Sequence, residues 1–164
     1  MESVNIQVNI FSDKMPPVEE MVQSIALPSC GGVSIFQGIT RDNFKGKKVV
    51  KLSYECYEPM AKQEMSKISQ EAIEKFGIKG VAMWHRIGDV PVLEASVNIV
   101  TVSEHRKECI QATEWCIDQL KSRVPIWKKE FYEDGTQSTG NECCEPEWKK
   151  NPEYAQLLEK KKDY

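Results

Sequence analysis

Two apolar periods alternate along this chain, and their order restricts the folds open to it more than any other feature. Residues 4–11, VNIQVNIF, alternate polar with apolar side chains, the mark of a strand with one face buried. The next segment, PPVEEMVQSIAL, opens on prolines, carries its acids early and spaces its apolar residues as a helix does. GGVSIFQGIT and KKVVKLSYECY return to strand patterning, and RDNFKGK between them has the glycine and polar residues of a loop or hairpin connection. From Pro59 to Phe76, the residues Met60, Met65, Ile68, Ala72, Ile73 and Phe76 recur at helical spacing, with Gly77 as the stop. GVAMWHRIG and ASVNIVTVS add two strands joined through DVPVLE, where Pro91 marks an edge, bulge or loop. A second long helix follows in SEHRKECIQATEWCIDQLKSR, with Ser103 as its N-cap and Cys109, Ala112, Cys116, Ile117 and Leu120 along one face. Pro125 disfavours helical geometry at Val124 and has no N–H to donate, so this helix ends near Arg123 and VPIWKKEFY runs extended.

That order predicts an α+β fold, with a mixed or mainly antiparallel sheet covered by two long helices. The 164 residues suit one domain with a single core. Residues 1–135 make its body. After Gly135 the composition shifts, and residues 136–164 read as a surface excursion of the same domain that recovers helical character only in PEYAQLLEKKK.

Several classes of function are excluded. A formal net charge of -3 argues against a general nucleic-acid binder, so any anion site must be local. The start, MESVNIQVNIF, lacks the basic residues and apolar run of a signal peptide, and no apolar stretch approaches bilayer length. The expectation is a soluble, cytosolic protein without a membrane partner. Six cysteines include no CxxC pair, and His85 and His105 are the only histidines, so reduced thiols are expected and no metal site or cofactor is assigned. Cys109 and Cys116, two helical turns apart, read as core; Cys143 and Cys144 lie in a polar segment, where surface thiols outweigh a redox or metal role.

The local anion site has a candidate. LKSRVPIWKKE gathers Lys121, Arg123, Lys128 and Lys129 around a proline and a tryptophan. Strand alternation puts Lys128 with Val124 and Ile126, and Lys129 with Trp127 and Phe131. Each lysine alone has an ordinary explanation: Lys121 complements the negative end of its helix, and the others can snorkel. At the opposite end of that helix, Ser103, His105 and Arg106 surround free backbone N–H groups that suit a phosphate, although both basic residues could be idle first-turn side chains. Two ammonium groups about 6 Å apart would repel by roughly 3 kcal/mol at an effective dielectric of about 20. That permits a tuned lysine pair without requiring one. Glu94 and Glu104 read as an edge residue and a first-turn helix acid rather than a catalytic pair.

FQGITRDNFKGKKVVKLSYECYEPMA, HRIGDVPVLEASVNIVTVSEHR and LKSRVPIWKKEFYEDG together resemble the large, catalytic subunit of molybdopterin synthase, in order from about residue 4 to Gly135. The resemblance implies the α/β-hammerhead fold and a sulfurtransferase of molybdenum cofactor biosynthesis, with no cofactor of its own. Such a subunit converts cyclic pyranopterin monophosphate into the dithiolene-bearing molybdopterin. Sulfur arrives as a thiocarboxylate on the C-terminal Gly-Gly of a small ubiquitin-like subunit, and large subunits dimerise within a heterotetramer. By motif position, Lys121 and Lys128 resemble the catalytic lysines. Arg41, His105 and Arg106 resemble the groups that hold the pterin and its phosphate, with Ile39, Thr40, Lys129 and Glu130 at adjoining pocket positions. Past YEDG the chain departs from the family, with TQSTGNECC before Trp148, and no pocket role is assigned there. A different class of function, a non-catalytic dimeric docking module for a ubiquitin-like partner, has no need of both lysines.

Overall fold

A computed structural model describes residues 3–139, in which three helices and nine strands follow the expected order. Strand β1 (Asn5–Phe11) leads to helix α1 (Val18–Ile25), and β2 (Gly32–Ile39) is followed by the hairpin of β3 (Asn43–Phe44) and β4 (Lys47–Cys56). Helix α2 (Glu58–Phe76) ends at Gly77, whose φ of 67° is the left-handed stop its composition suggested. Strands β5 (Gly80–Arg86), β6 (Gly88–Pro91) and β7 (Ala95–Ser103) precede α3 (Arg106–Arg123), β8 (Ile126–Tyr132) and β9 (Gln137–Thr139).

The strands form two sheets rather than one. The first runs β1-β5-β7-β2, with β1 parallel to β5 and the other pairs antiparallel. The second runs β3-β4-β8-β9, with β6 also paired to β4, and is antiparallel throughout. Two breaks in the chain divide them. Gly88, at φ 79°, turns the chain out of β5 into β6, and Pro125 breaks α3 so that β8 leaves the helix to pair with β4.

Every residue of β5 is buried because both faces of the first sheet are covered. Val81 and Met83 point to α2 and α3, meeting Met65, Ile68, Ala112 and Cys116, while Ala82 and Trp84 point to Met21 and Ile25 of α1. The short α1 therefore closes a face that the two long helices do not reach. Where α3 meets the sheet, the Thr101 and Thr113 hydroxyls lie 2.8 Å apart and 2.8 and 2.9 Å from the Cys109 carbonyl oxygen, so one hydroxyl donates to the carbonyl and the other to its hydroxyl neighbour. These bonds lock the height of α3 over β7.

Ser103 is a correction. It is the last residue of β7 and 1% exposed, its hydroxyl donates to the carbonyl oxygen of His105, and His105 takes the N-cap position without a side-chain cap bond. Strand pairing with Gly32 holds Ser103 in the sheet and delays the helix. Glu104 consequently precedes the helix rather than sitting in its first turn. The excursion beyond Gly135 also begins with structure, since Gln137–Thr139 pairs with β8. Its suggested helix, and Cys143 and Cys144, lie outside the described residues. Among the described residues, no helix is long and apolar enough to cross a membrane.

Candidate active site

The last turn of α3 and the first half of β8 are seven residues apart in sequence and meet across Pro125. Antiparallel pairing sets Lys128 opposite Tyr54 and Glu130 opposite Leu52 on β4. Side chains alternate along β8, so Ile126, Lys128 and Glu130 share the inward face. That face, with Leu120, Lys121 and Val124 from the end of α3, walls a cavity of about 500 Å³. The end of β2 supplies Ile39 and the segment after it Arg41.

A helix end, a sheet edge and a strand beyond a proline thus place three cations around one recess. Lys121 and Arg41 are exposed at its mouth, and Lys128 lies deeper, with 31% of its side chain exposed. Lys128 Nζ sits 3.3 Å from Glu130 Oε1, and Glu130, 6% exposed, also accepts the Tyr132 hydroxyl at 2.7 Å. A buried carboxyl group is costly unless it is paired, and Lys128 and the Tyr132 hydroxyl are the partners of Glu130, an arrangement that orients the Lys128 side chain. Arg123 fixes the helix end that carries Lys121. Its guanidinium donates to Glu64 at 2.7 and 2.9 Å and to Glu71 at 2.7 and 2.8 Å, tying α3 to α2. The Arg123 hydrogen bond draws the Glu71 carboxyl below its usual range.

The cavity floor is polar but neutral. Tyr54, its hydroxyl 3.2 Å from Ser96 Oγ, has its pKa raised chiefly by burial. His85 stands edge-on to Tyr54 with ring centroids 5.1 Å apart, and burial pushes its pKa down to about 4. Sequence patterning had passed over this residue. Yet the alternation of GVAMWHR puts His85 on the face of Val81 and Met83, a polar side chain on an apolar face, and that was the signal available.

Of the nine residues singled out in the sequence, the structure gathers five: Ile39, Arg41, Lys121, Lys128 and Glu130. Four stand apart. Thr40 is 1% exposed and donates to the Val90 carbonyl at 3.3 Å, and it does not line the cavity. Lys129 is exposed on the opposite face of β8, as strand alternation requires. His105 and Arg106 are exposed at the start of α3, about 22 Å along the helix from Lys121 at 1.5 Å per residue. A single protomer does not bring them to the lysines. Among the described residues, no three His, Cys, Asp or Glu side chains gather as a metal-ligand set.

An α+β domain with a recess walled by lysines and an arginine, and with a neutral polar floor, has the lining of a protein-made cationic site, one whose chemistry suits an anionic ligand. Comparison with known proteins is more specific. The model of the family described as MoaE protein matches residues 11–123. The chain is 45% identical to the molybdopterin synthase catalytic subunit of Homo sapiens over 137 residues, 84% of this chain and 72% of that one. The crystal structure of molybdopterin synthase from Staphylococcus aureus superposes with a TM-score of 0.75 at 35% identity, over 80% of this chain and 96% of that one. A complex of subunits 1 and 2 of the molybdopterin-converting factor from Helicobacter pylori 26695 shares the fold, with a TM-score of 0.66 at 23% identity, over 83% of this chain and 91% of that one. The chain belongs to the MoaE family.

Proposed function

We propose that this chain is the catalytic subunit of a molybdopterin synthase, a cytosolic sulfurtransferase that uses a thiocarboxylated small ubiquitin-like subunit to convert cyclic pyranopterin monophosphate into the molybdopterin dithiolene. The observation that carries the reading is the common recess of Lys121 and Lys128. The names of its relatives, and the two-subunit complex formed by the Helicobacter pylori protein of the same fold, support a small-subunit partner.

In this mechanism the thiocarboxylate sulfur forms a C–S bond at the pterin side chain as an oxygen substituent there leaves and takes a proton. Water then cleaves the sulfur–acyl bond, which releases the small subunit as a carboxylate and leaves its sulfur on the pterin; two such rounds supply both dithiolene sulfurs. Lys121 and Lys128 stabilise the negative charge that develops and move protons at their ammonium groups. Glu130 keeps Lys128 aimed inward. Arg41 at the mouth meets the anionic end of the substrate. Replacing Lys121 or Lys128 with alanine should lower dithiolene formation at least ~1,000-fold while leaving the fold and small-subunit binding intact, a loss typical of removing charge stabilisation together with proton transfer. Near-normal turnover in both variants would refute the assignment and favour the docking-module reading.

His105 and Arg106 enter this scheme through a second copy. Strand β2 is one of the two edges of the first sheet, and it carries exposed Val33, Ile35 and Ile39. One end of β2 pairs with Ser103, just before His105, and the other reaches the cavity at Ile39. Two β2 edges meeting antiparallel about a two-fold axis would cover this apolar stripe and bring the partner's His105 and Arg106 alongside Ile39 and Arg41. The helix start would then hold the substrate phosphate.

A further inference from the structure

The cations around the cavity, Arg41, Lys121 and Lys128, donate hydrogen bonds and accept none. Acceptors on the same wall are few and mostly engaged. Glu130 takes the Tyr132 hydroxyl and faces Lys128. The Tyr54 hydroxyl donates to Ser96, and the Ser96 hydroxyl donates to the Gly38 carbonyl at 3.4 Å.

His85 differs. Its Nδ1 lies 2.8 Å from the carbonyl oxygen of Arg86. A carbonyl oxygen only accepts, so Nδ1 carries the proton of the neutral ring, and Nε2 is left with a lone pair. Nε2 has no partner among the described residues, yet it is not one of the sealed, unsatisfied atoms of the interior, which are Arg86 Nε and Glu108 Oε2. With 4% of the residue exposed and the ring on the cavity wall, the opening at Nε2 is the cavity. Pairing of β5 to β1 and β7, with the Tyr54 ring against the imidazole edge, leaves that nitrogen little freedom to turn elsewhere. A buried acceptor without a donor costs free energy, and a ligand that brings the donor recovers it.

We propose that His85 Nε2 is a specificity-determining acceptor, taking a hydrogen bond from an N–H or O–H donor on the ring system of a ligand whose anionic end is held by the cations. The inference rests on the function proposed above and deepens it. The cavity has two chemistries, a cationic mouth and a neutral accepting floor, and a phosphorylated heterocycle with ring N–H groups matches both. A plain phosphate or an aliphatic phosphate ester satisfies only the first.

Because His85 and His105 are the only histidines, selective 15N-histidine labelling yields a spectrum of two rings, with the exposed His105 as reference. Adding cyclic pyranopterin monophosphate to the complex with the non-thiocarboxylated small subunit should shift the His85 Nε2 resonance in the direction of a newly accepted hydrogen bond. Inorganic phosphate should leave it in place. In steady-state assays, His85→Phe should raise the pterin KM by ~10- to 100-fold and leave the KM for the thiocarboxylated small subunit unchanged. His85→Gln, which offers an amide oxygen near the position of Nε2, should recover most of the loss. An Nε2 resonance unmoved at saturating pterin, or a wild-type pterin KM in His85→Phe, overturns the proposal. The wild-type assay separates the two readings. Dithiolene formed beside an unmoved His85 signal removes only the role of His85, whereas absent pterin binding and absent dithiolene remove both.

Discussion

Two buried polar residues of the cavity differ in their partners. Glu130 has Lys128 and the Tyr132 hydroxyl as partners, whereas His85 has no opposite charge in contact and is kept neutral. The histidine therefore links stability to pH. Burial is the larger cause of its fall from 6.5 to about 4, and the Arg86 carbonyl offsets part of it. Between those values the unfolded chain binds a proton that the folded chain refuses, so stability is fully present above about pH 6.5 and declines as pH drops towards 4. The whole swing is about 3 kcal/mol, of which about 2 kcal/mol is spent by pH 5. Urea denaturation at pH 7 and pH 5 should show that loss in the wild type, and a loss smaller by about 2 kcal/mol in His85→Gln. Equal losses would contradict the neutral, buried ring. Glu71 and Asp89, drawn below the usual carboxylate range by hydrogen bonds from Arg123 and Lys51, lose their contribution only at lower pH.

Among the elements, α3 decides the geometry of the recess, and its two ends were unequally readable. Its C-terminal end follows from covalent chemistry: Pro125 cannot continue a helix, and the structure ends α3 at Arg123. Its start depended on competition, because Ser103 suits an N-cap but is claimed by pairing with Gly32, a partner 71 positions earlier that no local pattern reveals. The same contrast runs through the site. The inward face of Ile126, Lys128 and Glu130 could be read from alternation once β8 was known to be extended, and Lys129 then had to lie on the other side. That Tyr54, His85 and Arg41 close around that face depends on which strands pair, which is a property of the fold. Arg123 marks a dependence of the element on its neighbour. Arg123→Ala leaves Glu64 and Glu71 without their shared partner and should destabilise the chain by about 1–3 kcal/mol, lowering Tm by several degrees in calorimetry. Turnover should fall as well, since Lys121 rides on the same last turn; unchanged melting would show that α2 and α3 are held by their apolar contacts alone.

For the whole molecule, the separation of His105 and Arg106 from the lysines is the dominant fact. If two copies share each site as proposed, Lys121→Ala and Arg106→Ala are complementary lesions. Each homodimer is inactive, but a hybrid has one recess with intact Lys121 facing an intact helix start. Random reassortment makes half the dimers hybrids, each with one complete site of two, so mixing after reversible dissociation should restore about a quarter of wild-type activity. No recovery, with hybrids verified by mass spectrometry, would place both residues in the same copy's function or in none. The interior of α3 bears on the chemistry in another way. Cys116, 0% exposed and next to the cavity-lining Ile117, has its thiol pushed up to about 12 by burial. A thiolate attacking the thiocarboxylate carbonyl would keep the acyl group as a thioester and expel the sulfur as hydrosulfide, losing the atom meant for the pterin. Held protonated and out of reach, the Cys116 sulfur is a bystander, so the proposed transfer can run beside a cysteine without forming a dead-end thioester on the enzyme.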